Sequence, residues 1–224
     1  MTRLLMLVEG QSEEIFVKRT LAPHLAQHGV YVQEPVVLWT NRLPSGGGFR
    51  GGVSSWGQVL KSLRPLAGDS DAWLTTLLDF YGLPEDFPGL QEALGAGAAH
   101  EGAAMLQARF AAELKHERFI PFFALHELEA WLFSAPEAVE KHFGAEHLAD
   151  RLRAAVRDAG EPELINHGVA THPKARLHSL VPEYKETSDT PTLLEKIGLP
   201  AIRAACPHFN GWVSRLEALG GEKA

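Results

Sequence analysis

RLLMLVEGQSEEIF, residues 3–16, decides how the rest of the chain is read. Leu4 to Val8 is a short continuous apolar run that leads straight into Glu9 and Gly10, with Ser12, Glu13 and Glu14 close behind. A continuous rather than alternating run suits a strand covered on both faces, as in a parallel sheet. Ser12 can cap a helix in which Val17, Leu21 and Leu25 recur at i, i+4 and i+8, and Pro23 is expected to kink or shorten it. The stretch therefore reads as a strand that delivers an acid, a sharp turn allowed by Gly10, and a helix whose first turn carries two more acids.

Three further apolar runs extend the pattern: Pro35 to Thr40, Ala72 to Leu78 and Phe119 to Leu125. Pro121 marks the last of them as an edge strand or a strand with a frayed start. Helical patterns lie between them, at Trp56 to Leu66, Pro88 to Leu94 and Gly102 to Glu117. Strand alternating with helix predicts an α/β fold with a mostly parallel four-stranded sheet flanked by helices. After about Glu127 the pattern turns helical: Glu127 to Phe133, Pro136 to Phe143, Ala145 to Ala159, Lys174 to Leu180, Pro191 to Ile197, Pro200 to Ala204 and Phe209 to Leu219. Gly160 to about Pro173 is rich in turns. This divides the chain into an α/β core over 1–133 and a helical region over 134–224 packed on it. Ser45 to Gly52 reads as a flexible glycine loop and lacks a P-loop's GxxxxGK pattern.

In open α/β sheets, ligands bind outside the carboxyl ends of the strands. The first strand ends on Glu9, the third on Asp79, and the fourth runs out into His126, Glu127 and Glu129, with Glu13 one helical turn beyond Glu9. Clustered carboxylates raise one another's pKa unless a cation neutralises them, and oxygen-rich clusters favour hard ions such as Mg²⁺ or Mn²⁺. Glu9, Glu13, Asp79, Glu127 and Glu129 are thus the candidate metal ligands, with Glu9, Asp79 and Glu127 also candidates for catalysis. Glu9, Glu13 and Asp79 also have plainer readings. Glu13 and Glu14 suit a helix N-terminus, Asp79 a turn, and Glu9 a strand end bonded to nearby backbone.

The formal net charge of −7 argues against gripping nucleic acid by bulk electrostatics, but leaves room for a local basic patch. Arg42 and Arg50 flank the glycine loop, and His172, Lys174, Arg176 and His178 form a second basic segment. Arg42, Arg50 and Arg176 are candidates for holding substrate phosphate. Lys174 is a candidate for stabilising a leaving oxygen, and a solvated helix face is the alternative for Lys174 and Arg176. His126 reads either as a ligand or general base, or as a histidine satisfied by a carbonyl. Phe209 and Trp212 read as packing anchors. A single cysteine, Cys206, rules out an internal disulfide framework and a cysteine-based zinc site; the eleven histidines are scattered and form no HExxH. No apolar run reaches the ~20 residues of a membrane span. With no signal-peptide pattern either, the cytoplasm is the expected compartment.

VEGQSEE, LLDFYGLP and HELEAWLF together resemble Toprim-like proteins. More closely they resemble a bacterial Toprim-like family of uncharacterised function, often encoded beside an ABC-type ATPase and related to the overcoming-lysogenization-defect nucleases. INHGVATHPKARL and CPHFNGWVSRLEAL extend the resemblance over nearly the whole chain. The resemblance implies a Toprim fold and assigns the strand-one glutamate to Glu9, the second acid of VEGxSE to Glu13, and the first aspartate of the DxD pair to Asp79. Tyr81 stands in place of the second aspartate, which weakens a two-metal mechanism; Glu127 or Glu129 could supply the missing ligand. It further implies a Mg²⁺- or Mn²⁺-dependent nuclease acting on DNA or RNA, as an effector of anti-phage defence or of a toxin-like system with an ATPase partner. The alternative is a non-catalytic binding or regulatory subunit of such a complex. Topoisomerase chemistry is discounted, because this short chain has only Tyr31, Tyr81 and Tyr184 and no gate domains. Homo-oligomerisation is left open.

Overall fold

The structure is a computed structural model. It describes residues 1–42, 48–50, 52–165, 168 and 170–221, with only the backbone described for 39–42 and 48–50. Its centre is a parallel sheet of six short strands in four rows. β1 (Thr2–Val8) and β6 (Trp73–Asp79) run side by side in the middle. On the free side of β1 lie β2 (Val30–Val32) and then β3 (Val36–Val37). On the free side of β6 lie β7 (Phe119–Ile120) and then β8 (Phe123–Ala124).

Both outer rows depart from the expected single strands, each for a local reason. In the row of β7 and β8, Pro121 cannot donate to the ladder. The side chains of β6 fill the gap: Thr75 Oγ1 donates to the Ile120 carbonyl (2.6 Å), and Thr76 Oγ1 bonds both the N–H and the C=O of Phe122 (3.0 Å each). On the other side, the strand expected over Pro35 to Thr40 stays with β1 only through Leu38, whose N–H reaches the Val8 carbonyl at 3.0 Å. There β1 ends, and the chain leaves as β4 (Trp39–Arg42) to pair antiparallel with β5 (Gly48–Arg50). Part of the expected glycine loop is therefore strand; residues 45–47 and 51 lie outside those described.

Side chains alternate between two cores, one on each face of the sheet. Leu4, Met6, Val8 and Leu77 join one cluster, while Leu7, Leu74 and Leu78 join the other. This double burial is why both central strands read as unbroken apolar runs. The second face is covered by α3 (Trp56–Ala67), α4 (Leu90–Leu94) and α5 (Ala99–Leu114). The first is covered by α1 (Gln11–Phe16), α2 (Ala22–Gln27) and the C-terminal helices. Those are α6 (Leu128–Leu132), α7 (Pro136–Phe143), α8 (Leu148–Ala159), α9 (Pro173–Leu180), α10 (Glu186–Ile197), α11 (Leu199–Ala205) and α12 (Pro207–Ala218). One apolar cluster runs from Leu4 to Leu219, so the helical half shares its core with β1.

Two of the departures from the expected helix starts bear on the site. Gly10, not Ser12, is the N-cap of α1, and its backbone is extended (φ −144°), a conformation any residue adopts. Ser12 is buried, with its hydroxyl toward the Glu186 carbonyl (3.5 Å). α10 begins at Glu186 and runs through Pro191 rather than starting there. Around Pro23 the helix is not broken. A π-helical turn over Val17–Leu21 joins α1 to α2 and absorbs the missing backbone donor.

Candidate active site

The two central rows end side by side, and their last residues are in contact. The Glu9 N–H donates to the Leu77 carbonyl (3.0 Å), and Glu9 Oε2 accepts the Asp79 N–H (2.9 Å). The plainer reading of Glu9, a strand-end acid bonded to backbone, is thus true of one of its oxygens. Gly82 keeps this corner open. A Cβ there would sit 3.2 Å from Asp79 Cβ and 3.6 Å from Glu9 Oε1.

Glu13 and Glu129 come in from the helices. Phe16 on α1, Trp131 on α6 and Phe209 on α12 form one aromatic cluster, with ring centroids 4.3–6.1 Å apart. All three rings are fully or almost fully buried. Burying one such ring contributes roughly 1.5–3 kcal/mol, so α1 and α6 are firmly seated. Glu13 precedes Phe16 by one turn and Glu129 precedes Trp131 by two residues, and both carboxylates are buried. Phe209 is an anchor, as read; so is Trp212, which stacks on Phe122 at 4.3 Å and donates to Thr75 Oγ1 (2.9 Å).

Glu9, Glu13, Asp79 and Glu129 form no ion pair with Lys or Arg among the described residues. The cost appears in their protonation. Burial raises Glu9 to about 7, against the opposing pull of the Asp79 N–H bond and the Lys174 charge. Burial, then the charge of Glu9, raises Glu13 to about 8. Burial raises Glu129 to about 7. Asp79 is pushed well above the usual carboxylate range by burial, then by Glu9 and Glu13.

Glu127 is different. It is the N-cap of α6, and its Oε1 accepts from the Lys174 N–H (2.6 Å) at the start of α9 and contacts His172 Nδ1 (2.9 Å). Lys174 Nζ lies 3.5 Å from Glu127 Oε2 and 2.9 Å from Glu186 Oε1. Burial lowers the pKa of Lys174, but the charges of Glu129 and Glu127 and the bond to Glu186 outweigh it and hold the ammonium on. Glu129 Oε1 accepts from Tyr184 Oη (2.7 Å) and Thr190 Oγ1 (3.0 Å), and those two hydroxyls also contact each other.

A cleft of about 230 Å³ opens beside the acids, lined by Asp79, Tyr81, Gly82, His126, Glu127 and His172. Tyr81 stacks on His126 (centroids 4.8 Å, 27°) at its wall. Arg176 Nε donates to the Thr171 carbonyl (2.6 Å), and His178 packs its ring edge-on against Tyr184. The backbones of Arg42 and Arg50 lie on β4 and β5; their side chains lie outside those described.

The sequence therefore brings Glu9, Glu13, Asp79, Glu127, Glu129 and Lys174 together. Reading it missed Glu186, Tyr184 and Thr190, which a YKETSDT stretch with no strand-end position gave no reason to single out. As a donor set, Glu9, Glu13 and Asp79 are all-oxygen and could hold a hard divalent ion, while Glu127 and one oxygen of Glu129 are already engaged. The rim acids stand further apart than a closed triad. Among the described residues, the group of three whose ligand atoms all lie within 4.8 Å of one another is His24, His28 and Glu217, elsewhere in the fold.

Comparison with known proteins places residues 8–217 in the domain-of-unknown-function family DUF4276. No curated protein matches the chain significantly. Among solved structures, the chain is similar to the C-terminal region of the OLD protein of Burkholderia pseudomallei, at 15% identity and a TM-score of 0.45, covering 98% of this chain and 99% of that one. It is also similar to the C-terminal region of the OLD protein of Xanthomonas campestris pv. campestris, at 15% identity and a TM-score of 0.37, covering 96% and 98%. No helix among the described residues is long and apolar enough to cross a membrane.

Proposed function

We propose that this chain, which belongs to the DUF4276 family, hydrolyses phosphodiester bonds of DNA or RNA with the help of Mg²⁺ or Mn²⁺. One observation carries the reading: four carboxylates crowd the carboxyl ends of the two central strands, none of them ion-paired to Lys or Arg among the described residues, and Asp79 opens onto a cleft. Electrostatics of that kind favours a divalent cation as the missing partner. Glu9, Glu13 and Asp79 would hold it, and when bound such an ion polarises a phosphoryl oxygen and lowers the pKa of water.

The chain's own residues supply the rest. The Asp79 N–H fixes the orientation of Glu9, so one oxygen of Glu9 stays turned to the rim. Tyr184 and Thr190 fix Glu129 in the same way. Glu127 and Glu186 hold the Lys174 ammonium close to the acids, where a positive group can stabilise charge that builds on a leaving oxygen. The stacked Tyr81 and His126 make a flat wall to the cleft, suited to a sugar or base. The likeness of VEGQSEE and LLDFYGLP to Toprim-type motifs supports the same reading, including a role in phage defence beside an ATPase.

Tyr81, in place of a second aspartate, favours a second reading, in which the chain is a non-catalytic subunit of an ATPase complex. Incubation with plasmid, single-stranded DNA and tRNA in Mg²⁺ or Mn²⁺, with and without the neighbouring ATPase, separates the two. The first reading predicts cleavage that Glu9→Ala and Asp79→Ala abolish. Cleavage that persists in both variants, or no cleavage with the partner triggered, contradicts it.

A further inference from the structure

At the amino ends of the strands, opposite the acidic rim, lies a different cluster. His24 and His28 stand one turn apart on and just after α2, with rings 4.9 Å apart, facing Glu217 in the last turn of α12. His24 Nε2 lies 2.6 Å and His28 Nε2 3.6 Å from the same oxygen, Glu217 Oε1. The backbone holds these groups together. Thr2 Oγ1 donates to the Leu219 carbonyl (3.1 Å), and Gly220 comes so near the end of α2 that a Cβ would lie 1.6 Å from the His28 carbonyl oxygen. Only glycine permits that approach.

We propose that His24, His28 and Glu217 form a site for a borderline divalent metal of the zinc type. Two imidazoles and one carboxylate are the donor set such ions take, with a fourth position left for water. Metal–ligand bonds of about 2.0–2.1 Å in a tetrahedron put ligand atoms roughly 3.4 Å apart, and the two observed distances bracket that value. His24 and His28, four apart across the end of α2, already turn both rings toward the same oxygen. The carboxylate is also held in place by hydrogen bonds from its neighbours.

Arg203 touches both oxygens of Glu217, including Oε2 at 3.0 Å, and is the rival for that carboxylate. Its fork is anchored independently, with Nε on Asn210 Oδ1 (2.7 Å) and Nη2 on Ser214 Oγ (3.0 Å). It can therefore keep Oε2 while Oε1 turns to an ion, in the manner of an outer group that orients a metal ligand. An ion here would clamp α2 to α12, far from the cleft, so this inference stands or falls apart from the proposed nuclease chemistry.

The test is calorimetric titration of Zn²⁺ into chelator-treated, tag-free full chain, with Co²⁺ absorption spectra alongside. One ion per chain is expected, with the intense visible bands of four-coordinate Co²⁺. His28→Ala should weaken binding at least tenfold and abolish the bands. His28 is among the more exposed of these side chains, so the metal-free variant should melt as the wild type does. No binding overturns the proposal. So does binding unchanged in both His24→Ala and His28→Ala, or binding that survives these and is lost in Asp79→Asn, which would put the ion at the rim.

Discussion

Glu163 is buried, as are Glu13 and Glu129 of the rim, while Glu9 and Asp79 beside them are half-buried, and the two groups are compensated in opposite ways. Glu163 is 1% exposed, and its two oxygens accept the backbone N–H groups of His208 (2.8 Å) and Phe209 (3.1 Å) at the start of α12. A helix N-terminus carries about half a positive charge and unsatisfied donors, so this carboxylate is a cap. Burial still raises it to about 7, against those two bonds. Glu9, Glu13, Asp79 and Glu129 receive fewer such bonds and repel one another besides. A buried acid alone is therefore no sign of chemistry; several crowded on one rim, with none ion-paired to Lys or Arg among the described residues, are.

The sharpest way to break this comparison is to neutralise one acid from each set. Asp79→Asn should lower metal-dependent cleavage on the order of 100-fold or more, and raise the melting temperature of the metal-free protein by relieving like-charge repulsion. Glu163→Ala should do the reverse. It should cost about 2–3 kcal/mol of stability, read from denaturant unfolding, because it leaves buried N–H groups unpaired, and cleavage at a temperature where the variant is folded should not change. A loss of activity in both, or of stability in both, would erase the distinction.

The next test is pH. A carboxyl raised in the folded state binds protons that the unfolded chain has already released, so stability falls as pH rises between the two pKa values. For Glu9, Glu129 and Glu163 that window runs from about 4.5 to about 7, and for Glu13 to about 8. The metal-free protein should melt progressively lower from pH 5 to pH 8. Mn²⁺ should restore stability at pH 8 and do little at pH 5, where protons hold its ligands. Glu13→Gln should flatten the upper part of the slope. A melting temperature that rises across this range would contradict the assignment.

Lys174→Met is a smaller perturbation. Loss of its charge leaves only the backbone hydrogen bonds to hold Glu9 and Glu13 down. Cleavage should fall about tenfold, and the acid limb of its pH profile should move to higher pH. Smallest is Tyr184→Phe, which removes one of the two hydroxyls on Glu129 Oε1. It should cost about 1 kcal/mol of stability, with cleavage within a few-fold of wild type.

The sequence carried the centre of the fold well and its margins poorly, for one physical reason. β1 and β6 are covered on both faces, so their apolar runs are unbroken and their ends visible as the acids Glu9 and Asp79. The outer rows depend on neighbours. β2 is three residues long, and the break at Pro121 is bridged by Thr75 and Thr76 from another strand, which no local pattern announces. The site was legible to the same depth. Acids at strand ends stood out, as did Lys174, whereas Glu186, Tyr184 and Thr190 reach the site only because α9 and α10 pack beside it. The histidines looked scattered, although His24 and His28 are four apart; their partner Glu217 lies 189 positions further on from His28, beyond the reach of a spacing rule.

The most direct measurement is anomalous scattering from a crystal grown at pH 7.5 to 8 and soaked in Mn²⁺. The account predicts a peak bonded to carboxylate oxygens of Glu9 and Asp79, lost in Asp79→Asn. A rim without such a peak, in crystals that bind Mn²⁺ elsewhere, would contradict it.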